Sequence, residues 1–218
     1  MRFNAVLFDH DGTLVDSEAI HMQLWREVMA PHGVEISDAD YWDQMLGVPM
    51  EQSAAELIEK FNLDTSVEQI VEQKTHANEL FLLNGCFPQV PGATAALTTL
   101  AQQTRLALVS GAQRLCVDAS LNGHGWNNIF EQVVSGDDVD RNKPHPDSYL
   151  KALALMEVDA DDAVAVEDTE VGVRAARDAG LQVVAIRSPL SDNHDFSAAV
   201  SVVDNLGEAY AWLMERVQ

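Results

Sequence analysis

The chain has little cysteine, few basic residues and no long apolar run, and each shortage narrows what it can be. Its two cysteines, Cys86 and Cys116, stand far apart without a Cys-x-x-Cys spacing. That argues against a disulfide framework or a zinc site and for reduced thiols. Lys and Arg number 13 against 35 Asp and Glu, a formal charge of −22. A field of that sign repels nucleic acid and anionic membranes, so neither is expected as a partner. It repels phosphorylated molecules as well, so a phosphate site here needs local correction by a metal, a lysine and backbone amides. No stretch of about 18 apolar residues occurs. The first residues carry a single Arg and an apolar run that Asp9 interrupts, unlike a signal peptide or a membrane span. The expected compartment is the cytoplasm. The chain has 218 residues, enough for one or two domains, and no internal repeat or low-complexity tract.

What is present begins at Ala5-Val6-Leu7-Phe8, an apolar run that reads as a buried strand. Asp9 and Asp11 leave it one residue apart, and Gly12 supplies a turn. Alternation along an extended chain points the two carboxylates one way and His10 the other. Like charges so close ask for a cation between them, and an oxygen-only ligand set favours a hard ion such as Mg²⁺. The competing reading is an Asx turn that closes a strand.

Residues from about 16 to 87 read as helices. Ile20, Leu24, Trp25 and Val28 run up to a stop at Pro31-His32-Gly33. Ser37 is placed to cap a second helix ending at Gly47. A third, from Met50 to Phe61, has Ala54, Leu57, Ile58 and Phe61 on one face. A fourth follows Thr65 and carries Val67, Ile70, Val71, Lys74, Ala77, Leu80 and Phe81. Past Phe87-Pro88 strands and helices alternate: apolar strands at 105–109, 132–134, 163–166 and 183–186, with helices near 94–101, from 113, after 146, at 171–179 and at 206–217. The expectation is an α/β fold, a Rossmann-like parallel sheet with helices on both faces and the helical bundle inserted after the first strand.

Three more signals fall at expected strand ends, where open parallel sheets bind ligands. Ser110-Gly111 ends one strand; the hydroxyl and the N–H groups of a following helix suit phosphate oxygens, or the serine is a plain N-cap. Lys143 precedes Pro144-His145-Pro146, a cation ahead of a helix or a solvent-facing lysine. Glu167-Asp168-Thr169 puts two carboxylates at a strand end, followed by Gly172 and a small-residue helix.

The order and types of these residues resemble the haloacid dehalogenase-like phosphohydrolases over nearly the whole chain. The family's Asp-x-Asp-Gly-Thr/Val appears as Asp9-His10-Asp11-Gly12-Thr13, its strand-end hydroxyl as Ser110 and its lysine as Lys143. Its Glu-Asp-Ser appears as Glu167-Asp168-Thr169, the threonine keeping the hydroxyl. Asp16-Ser17-Glu18 followed by His21 is similar to the β-phosphoglucomutase-like and sugar-phosphate phosphatase branch. The resemblance implies a catalytic core of residues 1–15 and 88–218 and a helical cap of residues 16–87, mounted on two linkers and closing over the site. It implies a Mg²⁺-dependent phosphatase acting on a small phosphorylated metabolite, a sugar or polyol phosphate, as a monomer. Asp9 is then the nucleophile that forms an aspartyl-phosphate and Asp11 the general acid and base. Ser110, Gly111 and Lys143 bind phosphate. The metal falls to Asp9, Asp11 through its carbonyl, Asp168, and Glu167 as ligand or neighbour. In the cap, Ser17, His21, Met50 and Lys74 are candidates to touch substrate, with surface packing the alternative for His21 and a snorkelling chain for Lys74.

Three other readings compete. A phosphosugar mutase needs a cation for a second phosphate; mutases of that branch carry an Arg where Gly47-Val48-Pro49-Met50 places Met50, with Glu51 beside it. A receiver-type signalling domain fails on motif order and has no use for a helical insertion. A catalytically silent binding protein would not need all four motifs.

Overall fold

The computed structural model describes residues 2–45, 48–188, 191 and 193–217. They divide into two compact units, one of Met1–Asp16 with Phe87–Gln218 and one of Ser17–Cys86. In chain order the strands are β1 (Ala5–Phe8), β2 (Arg105–Val109), β3 (Gln132–Val134), β4 (Ala163–Glu167), β5 (Gln182–Ile186) and β6 (Ser201–Val203). The helices are α1 (Glu18–Met29), α2 (Asp38–Gln44), α3 (Met50–Phe61), α4 (Val67–Asn84), α5 (Ala93–Leu100), α6 (Arg114–His124), α7 (Asp147–Met156), α8 (Glu170–Asp178) and α9 (Leu206–Met214).

All six strands form one sheet in the order β3-β2-β1-β4-β5-β6. Every neighbouring pair is parallel; β1 lies between β2 and β4, with Leu7 opposite Ala107 on one side and Ala165 on the other. A central parallel strand is covered on both faces, which is why β1 and β4 are apolar and buried at almost every position. The sheet face made by Ala5, Leu7, Ala107, Val109, Ala163, Ala165, Val183 and Ala185 packs against Tyr149, Ala152, Leu153 and Met156 of α7 and Val173, Ala175 and Ala176 of α8. Its alanines let the two helices approach closely. Period-two alternation sends Val6, Phe8, Leu106, Leu108, Val164, Val166 and Val184 to the opposite face, where they are also buried. α9 packs on β5 and β6 and against α5, and its buried Leu206 and Leu213 lie outside the α7–α8 cluster.

The expected α/β architecture stands, with differences in detail. β6 was not expected. It is a three-residue edge strand with Val202 39% exposed, so it lacks the apolar run that marks a buried strand. The last helix stops at Met214, short of Val217.

The second unit is α1 to α4 around Trp25, Val28, Met29, Ile36, Tyr41, Leu57 and Ile70. α1 ends at Met29, and a 3-10 turn over Ala30–His32 closes on Gly33 at φ 73. Capping boxes of Ser37 with Asp40 and Ser66 with Gln69 start α2 and α4. α2 ends at Gln44; the expected stop at Gly47 lies outside the described residues. Phe61, expected on the inner stripe of α3, is 37% exposed. It is the helix's last residue, and Asn62 behind it turns left-handed at φ 49, so the stripe runs out before Phe61 reaches the core.

Candidate active site

An open parallel sheet binds ligands beyond the carboxyl ends of its strands, where the connections to neighbouring strands run opposite ways. Here that crevice lies between β1 and β4. β1 is followed in the sheet domain by β2 on one side, while its other neighbour, β4, comes much later in the chain. The ladder continues one step past each strand. Asp9 N–H donates to the Val166 carbonyl at 2.9 Å and Ser110 N–H to that of Val134 at 2.9 Å. Asp9 after β1, Ser110 after β2, Glu167 as the last residue of β4 and Asp168 after it are therefore set along one sheet edge.

Asp9, Glu167 and Asp168 each bring a carboxylate oxygen to within 4.8 Å of the others, and all three residues are buried. Burial first, then the charges of Glu167 and Asp11, push the Asp9 carboxyl up to about 7 against the pull of Lys143. Burial and the charges of Asp9 and Glu167 likewise hold Asp168 well above the usual carboxylate range. Lys143 reaches into this cluster. Its Nζ donates to Asp9 Oδ1 at 2.5 Å, Glu167 Oε1 at 2.7 Å and the Val109 carbonyl at 3.0 Å, which uses all three N–H bonds of an ammonium. Burial works to deprotonate the lysine, but the charges of Asp9 and Glu167 outweigh it and hold its pKa above the ordinary value. The alternative of a solvent-facing Lys143 does not hold, since its side chain is 9% exposed. One ammonium cannot balance three buried carboxylates. Their all-oxygen donor set and the upward push on Asp9 and Asp168 fit a hard divalent cation.

Two glycines make the cluster possible. Gly12 sits at φ +80, and a Cβ on it would lie 2.0 Å from Asp168 Oδ2. A Cβ on Gly172, in the first turn of α8, would lie 2.0 Å from the Glu167 carboxylate. Thr169 caps that helix by accepting from Gly172 N–H at 3.1 Å.

Asp11 takes a different course from the one expected. Extended alternation ends with β1 at Phe8; Leu14 and Val15 N–H both donate to the His10 carbonyl, and the chain turns. The His10 ring is fully buried, yet its Nδ1 lies 2.9 Å from Asp11 Oδ2. Histidine and carboxylate thus face one another, and the Asp11 side chain is 35% exposed. Ser110 Oγ donates weakly to the same oxygen at 3.4 Å and accepts from Ala112 N–H at 2.9 Å. That second bond makes a local turn of residues 110–112, so Ser110 is not a helix N-cap; α6 begins at Arg114, one residue from the expected start. Gly111 is exposed in this turn, its carbonyl held by Asn142 Nδ2 at 2.8 Å. Pro146 is the N-cap of α7 and lies just outside the first turn.

A family model described as haloacid dehalogenase-like hydrolase matches residues 6–186. The chain belongs to that family. It is similar to the fructose-1-phosphate phosphatase YqaB of Escherichia coli (strain K12), 30% identical over 186 residues that cover 85% of this chain and 97% of that protein. It is also similar to a phosphorylated carbohydrates phosphatase of Thermotoga maritima, 28% identical over 82% of each chain. Among solved structures, a variant of CbbY from Rhodobacter sphaeroides in complex with xylulose-(1,5)bisphosphate has a TM-score of 0.75, 27% identity, and coverage of 94% of this chain and 96% of that one.

Within the helical unit of this hydrolase, Glu18, His21, Trp25, Tyr41, Met50 and Lys74 line a hollow of about 240 Å³. Lys74 does not snorkel. It is buried, with Nζ donating to His21 Nδ1 at 3.4 Å and standing 5.7 Å from the centre of the Trp25 ring. His21 therefore faces a partner within its own unit, unlike a plain surface histidine. Met50 opens α3, and its sulfur accepts from Thr75 Oγ1 at 3.9 Å. Ser17 is buried at the N-cap of α1 without a side-chain capping bond. Gly47, of the segment compared with the mutases, lies outside the described residues.

Sequence reasoning missed Tyr149, which donates its hydroxyl to Glu167 Oε1 at 2.8 Å and has its ring 5.1 Å from Lys143 Nζ. Burial and the Glu167 charge keep that phenol protonated, well above its usual range. Tyr149 sits on the apolar face of α7, and nothing local in the sequence marks its hydroxyl. Asn142, whose Oδ1 accepts from Lys143 N–H at 2.9 Å, was missed as well.

Proposed function

We propose that this phosphatase hydrolyses small sugar or polyol phosphates through a phosphoryl group carried briefly on Asp9. The observation that carries the reading is the buried Asp9–Lys143–Glu167–Asp168 cluster at the edge of the sheet. An Asp9 oxygen attacks phosphorus and forms a P–O bond while the ester P–O bond breaks. The departing alkoxide takes a proton from Asp11. Water then attacks the phosphorus with Asp11 taking its proton, the Asp9–phosphorus bond breaks, and inorganic phosphate leaves. Lys143, Ser110 and the backbone around Gly111 are assigned to the non-bridging oxygens, where transition-state charge resides. Mg²⁺ held by Asp9, Asp168 and the Asp11 carbonyl, with Glu167 beside it, would supply the positive charge that lets a dianion approach these acids. The sugar-phosphate class is supported by the two phosphatases and the bisphosphate complex to which the chain is similar.

Choice of leaving group is assigned to residues 17–86, with Ser17, His21, Met50 and Lys74 as the contacts. Lys74 in the hollow is what favours the rival mutase reading, since a second phosphate needs a cation. Against it, Met50 offers a thioether, which cannot offset the desolvation of a phosphate. A cytoplasmic monomer is part of the same reading, and no helix among the described residues is long and apolar enough to cross a membrane.

A screen of phosphorylated sugars and polyols with Mg²⁺ tests the proposal. Phosphate release that disappears in Asp9→Asn and in excess chelator is the expected result. Turnover by Asp9→Asn near the wild-type rate would overturn it. Glucose 1-phosphate with a trace of glucose 1,6-bisphosphate should yield inorganic phosphate, if it reacts, and not glucose 6-phosphate; accumulation of the latter would favour the mutase.

A further inference from the structure

His10 is an unusual occupant for its place. Its ring is wholly buried, beside the strand end that carries the nucleophile, and no described group hydrogen-bonds its Nε2. An apolar side chain there would carry no orphaned polar atom, so core packing does not account for an imidazole. Its other nitrogen accounts for it. Nδ1 lies 2.9 Å from Asp11 Oδ2, and a carboxylate oxygen accepts, so Nδ1 donates. The bond joins adjacent residues across the turn that follows β1, whose backbone is pinned by two hydrogen bonds to the His10 carbonyl. The ring cannot drift, because burial on every side fixes it. The carboxylate has more freedom, because its side chain is 35% exposed, and Ser110 Oγ reaches the same oxygen only weakly at 3.4 Å.

We propose that His10 is a positioning residue for the proton-transfer step. Its Nδ1–H holds the Asp11 carboxyl in the orientation from which that group protonates the leaving alkoxide. This rests on the assignment of Asp11 as general acid in the preceding section. No bond to His10 is made or broken, and the proton passed to the alkoxide is that of Asp11. The consequence is a dependence on the leaving group. An alkoxide departs only with a proton, whereas p-nitrophenolate is a stable anion and departs without one. Disorienting Asp11 therefore slows alkyl phosphates and spares aryl phosphates, a selectivity that general loss of packing would not produce.

The experiment compares kcat/KM, which reports the steps through phosphoryl transfer to Asp9, for p-nitrophenyl phosphate and for the best alkyl phosphate of the metabolite screen. In His10→Leu the alkyl value should fall about 10- to 100-fold, the range for losing a group that orients a functional residue. The aryl value should stay within about threefold of wild type. His10→Asn, whose amide N–H reaches the Nδ1 position, should restore most of the alkyl rate. If the leucine variant does not fold, His10→Gln replaces it, its amide reaching past Nδ1 toward Nε2, with the same selective fall expected. An equal fall for both substrates, or none for either, overturns the proposal. Asp11→Asn separates the two layers. Selective loss in Asp11→Asn without it at His10 refutes the role of His10 alone. Full alkyl activity in Asp11→Asn refutes the assignment of Asp11, and the role of His10 with it.

Discussion

At the scale of single residues, the upward push on Asp9 has a consequence for stability as well as for chemistry. A carboxyl near 4 in the unfolded chain and about 7 in the fold binds more protons when folded across that interval. Its contribution is present below the unfolded value and lost as pH rises through the folded one. Asp168 moves in the same direction. In chelator, the wild-type melting temperature should therefore drop between pH 5 and pH 7.5. The drop should shrink in Asp9→Asn and on adding Mg²⁺; a wild-type profile as flat as that of Asp9→Asn would contradict it. Tyr149 gives a second residue-scale expectation. Removing its hydroxyl in Tyr149→Phe takes one donor from a buried carboxylate that Lys143 still holds. Mg²⁺ affinity should weaken by about 10- to 100-fold while kcat at saturating metal changes little. A metal titration of activity checks both halves, and unchanged affinity would leave Tyr149 a packing residue.

The first turn of α8 is where an element, not a side chain, sets the site. Thr169 caps it, and Gly172 brings the helix backbone against Glu167 with no room for a methyl group. In Gly172→Ala the carboxylate has to leave its place between Lys143 and Tyr149. The cost is expected at about 1–3 kcal/mol from overpacking, read by denaturant unfolding. Activity should fall further than that loss of stability explains, measured where the variant is fully folded. Elements also show where a linear reading stops. β1 and β4 announce themselves as apolar runs because both their faces are buried. β6 does not, since a short edge strand with an exposed valine becomes a strand only by pairing with β5. Ser110 was legible as a strand-end hydroxyl and the start of α6 to within a residue, but the turn of residues 110–112 between them was not, because the serine makes it with its own backbone neighbour.

Over the whole molecule, a charge of −22 opposes the approach of a phosphate dianion that the local cluster must then hold. The screening length shrinks from about 30 Å at 0.01 M salt to about 8 Å at 0.15 M. At saturating Mg²⁺, kcat/KM for a dianionic substrate should rise over that range; a fall would mean that the field near Lys143 outweighs that of the chain. The sequence by itself determined the α/β alternation, the helical insertion after the first strand, and the residue types of the site. Those follow from periodicity and from motifs a few residues long, which the chain carries locally. It did not determine that Lys143 reaches Asp9 and Glu167, that Tyr149 turns its hydroxyl to Glu167, or that Lys74 is buried against His21 and Trp25. Nor did it set His10 against Asp11, where alternation had parted them. Each of these is decided by which groups burial leaves facing one another, and only the packed sheet and helices bring together residues as far apart in the chain as Asp9 and Lys143.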